Sequence, residues 1–185
     1  MKLRFTDYLA GLMALSALIA LFAQIGELQG EAMATYSRPG LRGFAMLSVI
    51  VAVGLVLRHL KGIGAVVVLG VGAHLAAWLL IGELTSLNVF GVGYWLLVIS
   101  AWLMAWLFVD YLTALKLKST FAERLQGLLI PLTFGIWLLI LWEIVVRGMQ
   151  IPTVLLPPPS MIAERFSNSI PIFLADFRQT FLKAF

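Results

Sequence analysis

The chain contains no cysteine. That absence excludes disulfides, thiolate metal sites and cysteine nucleophiles together. Charge is scarce too: Asp, Glu, Lys and Arg make up 12% of the 185 residues, and the only histidines are His59 and His74. So few ionisable groups, with little chain outside the apolar blocks, leave no room for a sizeable soluble domain. Also missing are a phosphate-binding glycine-rich loop, a nucleophile elbow and any metal-ligand spacing. Gly91-x-Gly93 precedes an apolar helix instead of following a strand, so it is not a nucleotide motif. Neither an enzyme nor a bound cofactor is expected.

What the chain has in excess is apolar residues, 62% of the total, with a mean hydropathy of +1.01. They fall in long uncharged blocks, which marks an integral membrane protein. A crossing helix needs about 20 residues, because backbone groups in hydrocarbon must be satisfied internally. Five blocks qualify: residues 8–26, 41–57, 62–81, 89–109 and 125–146. The second is short, and Arg42 and Arg58 are expected to snorkel to the headgroups around it. The fold class is therefore all-α, with about five transmembrane helices and a C-terminal external amphipathic segment. Ala32-Met33-Ala34 offers a small-x-small cleavage pattern, but the preceding apolar run is too long and too distant for a signal peptide. A retained first helix is expected.

The net charge of +4 comes from Lys and Arg beside the apolar blocks, so it reports membrane orientation and not nucleic-acid binding. Lys2 and Arg4 precede the first block, Arg58 and Lys61 lie between the second and third, and Lys116, Lys118 and Arg124 lie between the fourth and fifth. The loop around residues 83–88 has no Lys or Arg. The N-terminus is assigned to the cytoplasm and the segment after Arg147 to the outside, in a bacterial inner membrane. Arg38 and Arg42 dissent.

The last forty residues change character. Pro157, Pro158 and Pro159 force extended geometry, and Ser160 is placed as the N-cap of a short helix over residues 161–166. Asn168-Ser169-Ile170-Pro171 is expected to break it. Phe173, Phe177, Phe181 and Phe185 then recur every four residues on an amphipathic helix, interfacial or approaching a sixth span. That helix reaches Phe185 without a stop signal and reads as interrupted.

In residues 126–185 the features follow in order: an apolar span, Trp142-Glu143, Arg147, Ile151-Pro152, Leu156-Pro157-Pro158-Pro159-Ser160, a short amphipathic helix and a second helix with an Arg. This order resembles the first membrane helix and external segment of nitrate/sulfonate/taurine-type ABC transporter permeases. The resemblance implies a dimerising subunit with a path for small oxyanion solutes, a cytoplasmic ATPase partner and an external solute-binding protein. It makes this chain the front portion of a permease, with the pathway-lining helices to follow Phe185. Residues 1–125 form a four-helix membrane region of unrecognised type. The family's Glu-Ala-Ala coupling loop is absent, its nearest match being Glu31-Ala32-Met33 in a loop placed outside. That motivates the alternative, a non-transporting accessory or scaffold subunit docked on a larger membrane protein complex.

Individual residues divide between site and scaffold. Glu143 is the most embedded acid, and Arg147 at i+4 is expected to draw it into an interfacial ion pair that fixes helix depth. Gly70, Gly72, Ala73 and Ala76 make the third span small along one side, for close packing within the bundle or against another subunit. His74 is expected to hydrogen-bond within the bundle instead of ligating haem, since His59 lies in a turn. Trp102 and Trp137 are too central for an interfacial belt and are assigned to bundle packing, while membrane lipid surrounds the rest.

Overall fold

The computed structural model describes residues 4–28 and 39–184. Their elements are α1 (Phe5–Ala20), β1 (Gly26–Leu28), α2 (Pro39–Val56), α3 (Gly62–Glu83), β2 (Leu87–Phe90), α4 (Val92–Thr113), α5 (Thr120–Gly148) and α6 (Pro159–Ala184). Ala32-Met33-Ala34, Glu31, Arg38, Lys2 and Phe185 lie outside the described residues. The protein is all-α in class and membrane-embedded: α2, α3, α4 and α5 are long and apolar enough to cross a bilayer. It forms two compact units, Met1–Ile140 and Leu141–Phe185, divided within α5.

In the first unit α1 packs against α2 and α4, and α3 against α4 and α2. The seams are built from small residues. Ala10, Ala17, Ala65, Ala73, Ala76 and Ala101 are fully buried between the larger Met13, Leu69 and Met104. Small side chains let backbones approach, which replaces the hydrophobic drive that is lost in lipid. Buried hydroxyls are satisfied locally. Ser48 Oγ donates to the Phe44 carbonyl at 2.9 Å, and Tyr94 OH donates from α4 to the Leu80 carbonyl of α3 at 3.0 Å. On the outside, Leu15, Ile50, Val67, Val71 and Trp78 are exposed, as lipid-facing residues should be.

The sequence reading placed the first span at 8–26, but α1 stops at Ala20 and Gly26–Leu28 is a strand. The fourth span likewise begins at Val92 and not at residue 89, because Leu87–Phe90 is β2. The two strands pair antiparallel, Gly26 opposite Phe90 and Glu27 opposite Val89. Beyond the ladder, Gly91 N donates to Ile25 O and Gly93 N to Gln24 O, both at 2.8 Å. A Cβ at Gly91 would collide with the Gln24 carbonyl. Gly91-x-Gly93 thus does follow a strand, contrary to the sequence reading. Its role, however, is to let two backbones touch, and the exchange of main-chain hydrogen bonds outcompetes further helix on either side. At 16 residues α1 is about 24 Å long, and among the described residues it is the one apolar helix shorter than a crossing needs.

α5 contains Pro131 without interruption. Its Gln126 Nε2 donates to the Leu112 carbonyl in the last turn of α4 and to the Leu115 carbonyl just beyond it, tying the two helices together across the turn.

Candidate functional site

Asp7 and Arg58 form the first polar cluster. At the head of α1, Arg4 N donates to Asp7 Oδ2 at 2.8 Å. The same oxygen accepts from Arg58 Nη2 at 2.7 Å, and the Asp7 side chain is 3% exposed. Arg58 is placed by an unusual backbone. It has φ of 63°, its N–H bonds to Leu55 O, and His59 N bonds to Gly54 O. That is a Schellman ending for α2, with arginine in the left-handed position that glycine normally takes. Arg58 was read as snorkelling to lipid headgroups; instead the left-handed turn carries it back onto Asp7, whose carboxylate is already held by Arg4 N. Arg42 is exposed.

The second cluster belongs to the other unit. The ion pair expected from the i, i+4 spacing is present, with Arg147 Nη1 3.2 Å from Glu143 Oε1. The same carboxylate also reaches along the chain: Ser160 N donates to Oε2 at 2.9 Å and Ser160 Oγ donates to Oε1 at 2.7 Å. Ser160 is thus not the N-cap but the second residue of α6. The Pro158 carbonyl accepts from Met161 and Ile162, and Pro159 is the first helical residue. Proline suits that position because its missing N–H would have had no partner. The first N–H that needs an acceptor is therefore that of Ser160, and Glu143 supplies a charged one where the helix dipole favours negative charge.

The chain returns to Glu143 through a compact turn. α5 ends in another Schellman arrangement, with Gln150 at φ 53°, Gln150 N bonded to Arg147 O and Ile151 N to Val146 O. Pro152 then takes the N–H groups of Leu155 and Leu156. Pro157, Pro158 and Pro159 carry the backbone into α6 with no N–H left to satisfy. Sequence spacing revealed Glu143–Arg147; no local pattern announces Glu143–Ser160, although Pro159 followed by a hydroxyl residue is the signal that a carboxylate would complete.

α6 runs unbroken from Pro159 to Ala184, so the expected break at Asn168–Pro171 does not occur. Ile162, Phe166, Ile170 and Phe173 stay in helical register across Pro171, and the Phe166 and Phe173 rings meet over it with centroids 6.1 Å apart. The carbonyl that Pro171 leaves without a partner lies on an exposed stretch.

The small stripe of α3 faces α4 within its own bundle. A Cβ at Gly70 would lie 2.8 Å from Phe108, and one at Gly72 2.8 Å from the Met104 sulfur. Ala73 and Ala76 are fully buried. His74 Nδ1 donates to the Gly70 carbonyl at 2.7 Å, and its ring stands edge-on to Phe108 and Trp137. Trp102 and Trp137 do pack centrally, 6.1 Å apart. With Trp106 and Phe134 they line an apolar cavity of about 230 Å³. Among the described residues no three His, Cys, Asp or Glu gather to hold a metal.

No protein-family model matches this chain, and neither a curated protein nor a solved structure is similar to it.

Proposed function

We propose that this chain is a membrane subunit of an ABC-type importer for small oxyanion solutes, the front portion of a permease of the nitrate/sulfonate/taurine type. The observation that carries the reading is the Glu143 carboxylate, which gathers Arg147 and Ser160. It ties the exit of a spanning helix to the head of the helix that follows the Pro-Pro-Pro-Ser run. Three of the residues in the family resemblance, Glu143, Arg147 and Ser160, are thus joined in one cluster. On this reading Lys2, Arg4, Arg58, Lys61, Lys116 and Lys118 face the cytoplasm of a bacterial inner membrane. An ATPase subunit binds there, and a solute-binding protein meets the outer side.

A second reading, an accessory subunit docked on a larger membrane complex, is favoured by α6, whose large apolar residues from Ile162 to Leu182 are exposed. Purification from native membranes in mild detergent separates the two. Stoichiometric recovery of an ATPase supports the importer subunit; recovery of an unrelated complex without one replaces it with the accessory role.

A further inference from the structure

α6 carries a continuous apolar stripe along one side, with the exposed Ile172 and Leu182 lying off it. Ile162, Phe166, Ile170, Phe173, Phe177 and Phe181 follow at spacings of three and four residues, which places them along one stripe of the helix. All six are exposed. The aromatic members form ridges, with Phe177 and Phe181 centroids 4.5 Å apart and Phe166 and Phe173 6.1 Å apart. Away from the stripe lie Arg165, Arg178 and Lys183 against Glu164 and Asp176, so cations exceed anions by three to two. The helix has 26 residues yet is not among those apolar enough to cross a bilayer.

Its position narrows what covers that stripe. α5 is long and apolar enough to cross the membrane, and Glu143, near its last turn, holds the first N–H and the hydroxyl of α6 through Ser160. The head of α6 is therefore fixed at the level where a spanning helix leaves the bilayer. A long helix with aromatic residues on one side, basic residues on the other and too little hydropathy to span matches the requirements of the boundary between headgroups and acyl chains. Arg165, Arg178 and Lys183 suit lipid phosphates, whereas a protein groove would have to match the whole stripe.

We propose that the Ile162–Phe181 stripe is a lipid-binding surface that lays α6 into the phospholipid interface, with the basic residues directed to phosphate. The inference does not depend on the importer reading, but where it holds, lipid accounts for the exposed α6 stripe and that stripe no longer favours the accessory reading.

The cysteine-free sequence allows single spin labels without background. Phe166→Cys, Phe173→Cys and Phe177→Cys on the stripe, and Asn168→Cys and Gln179→Cys opposite, would be labelled in the full chain. Each is reconstituted into phospholipid vesicles containing anionic lipid. Collision with oxygen, which concentrates in acyl chains, is compared with collision with a water-soluble nickel chelate. The expected result is an oxygen-to-nickel ratio several-fold higher at the three stripe sites than at the two opposite sites. Nickel access equal at all five would place α6 in water. Exclusion of both reagents from the stripe alone would mean a second copy or another subunit covers it; either result overturns the proposal. Since all five positions are exposed, substitution leaves packing intact, and unchanged helical circular dichroism confirms it.

Discussion

Glu143 and Ser160 are seventeen residues apart, yet the carboxylate accepts both the backbone N–H and the hydroxyl of the serine, at 2.9 and 2.7 Å. Each oxygen thereby receives a Ser160 donor, and Oε1 also receives Arg147. Charge-assisted bonds of this kind contribute about 1.5–3 kcal/mol when removal leaves a partner unsatisfied. Glu143→Ala should lower the local opening free energy of the first turns of α6 by that amount, read as faster amide exchange over residues 160–164. Ser160→Ala should lose about 0.5–1.5 kcal/mol, because the N–H bond survives. Arg147→Ala should cost under ~1 kcal/mol, since its side chain is 36% exposed. Equal exchange in all three variants would show that the clamp does not hold the helix.

Asp7 and Arg58 allow a sharper comparison. Arg58→Ala leaves a carboxylate that is 3% exposed without its cation, at a cost of about 2–4 kcal/mol, somewhat under the range for fully buried pairs because Arg58 is a third exposed. Arg58→Gly loses the same pair but relieves the left-handed backbone at φ 63°, so it should be about 1 kcal/mol more stable than Arg58→Ala. Asp7→Asn combined with Arg58→Ala should recover part of the loss. Thermal unfolding in detergent checks the ranking, and Arg58→Gly less stable than Arg58→Ala would contradict the backbone assignment.

The spanning helices were legible because twenty-residue apolar runs have few alternatives in lipid. Their ends were less so. Apart from Gln24, residues 21–26 and 89–91 are apolar or small enough to continue a helix, and pairing of β1 with β2, distant in sequence, decides otherwise. Glu143–Arg147 was readable because it is a local, helical spacing. Ser160 on Glu143 and Arg58 on Asp7 were not, because each depends on how a turn brings the chain back. Pro171 misled for a related reason: proline disfavours helix locally, but the aromatic register on either side of it holds.

Close packing of α3 on α4 gives a prediction with its own control. Gly70→Ala places a methyl against the Phe108 ring, while Gly11→Ala meets nothing within 4 Å. The first should destabilise by about 1–3 kcal/mol through overpacking. The second should be neutral or stabilising by up to ~1 kcal/mol through helix propensity. Thermal stability in one detergent ranks them directly.

Orientation is tested at the turn between α4 and α5. In the proposed topology Lys116→Cys and Lys118→Cys react with a membrane-impermeant maleimide only after the inner face is opened. Labelling from outside intact cells would invert the assignment and place α6 on the cytoplasmic side.

The importer reading is tested most directly by the intact mass of the polypeptide isolated from its own membranes. A permease whose pathway helices continue past Phe185 has a mass well above 20.4 kDa and is recovered with an ATPase. A mass near 20.4 kDa, with no ATPase bound, would contradict transport by this chain and leave the accessory role.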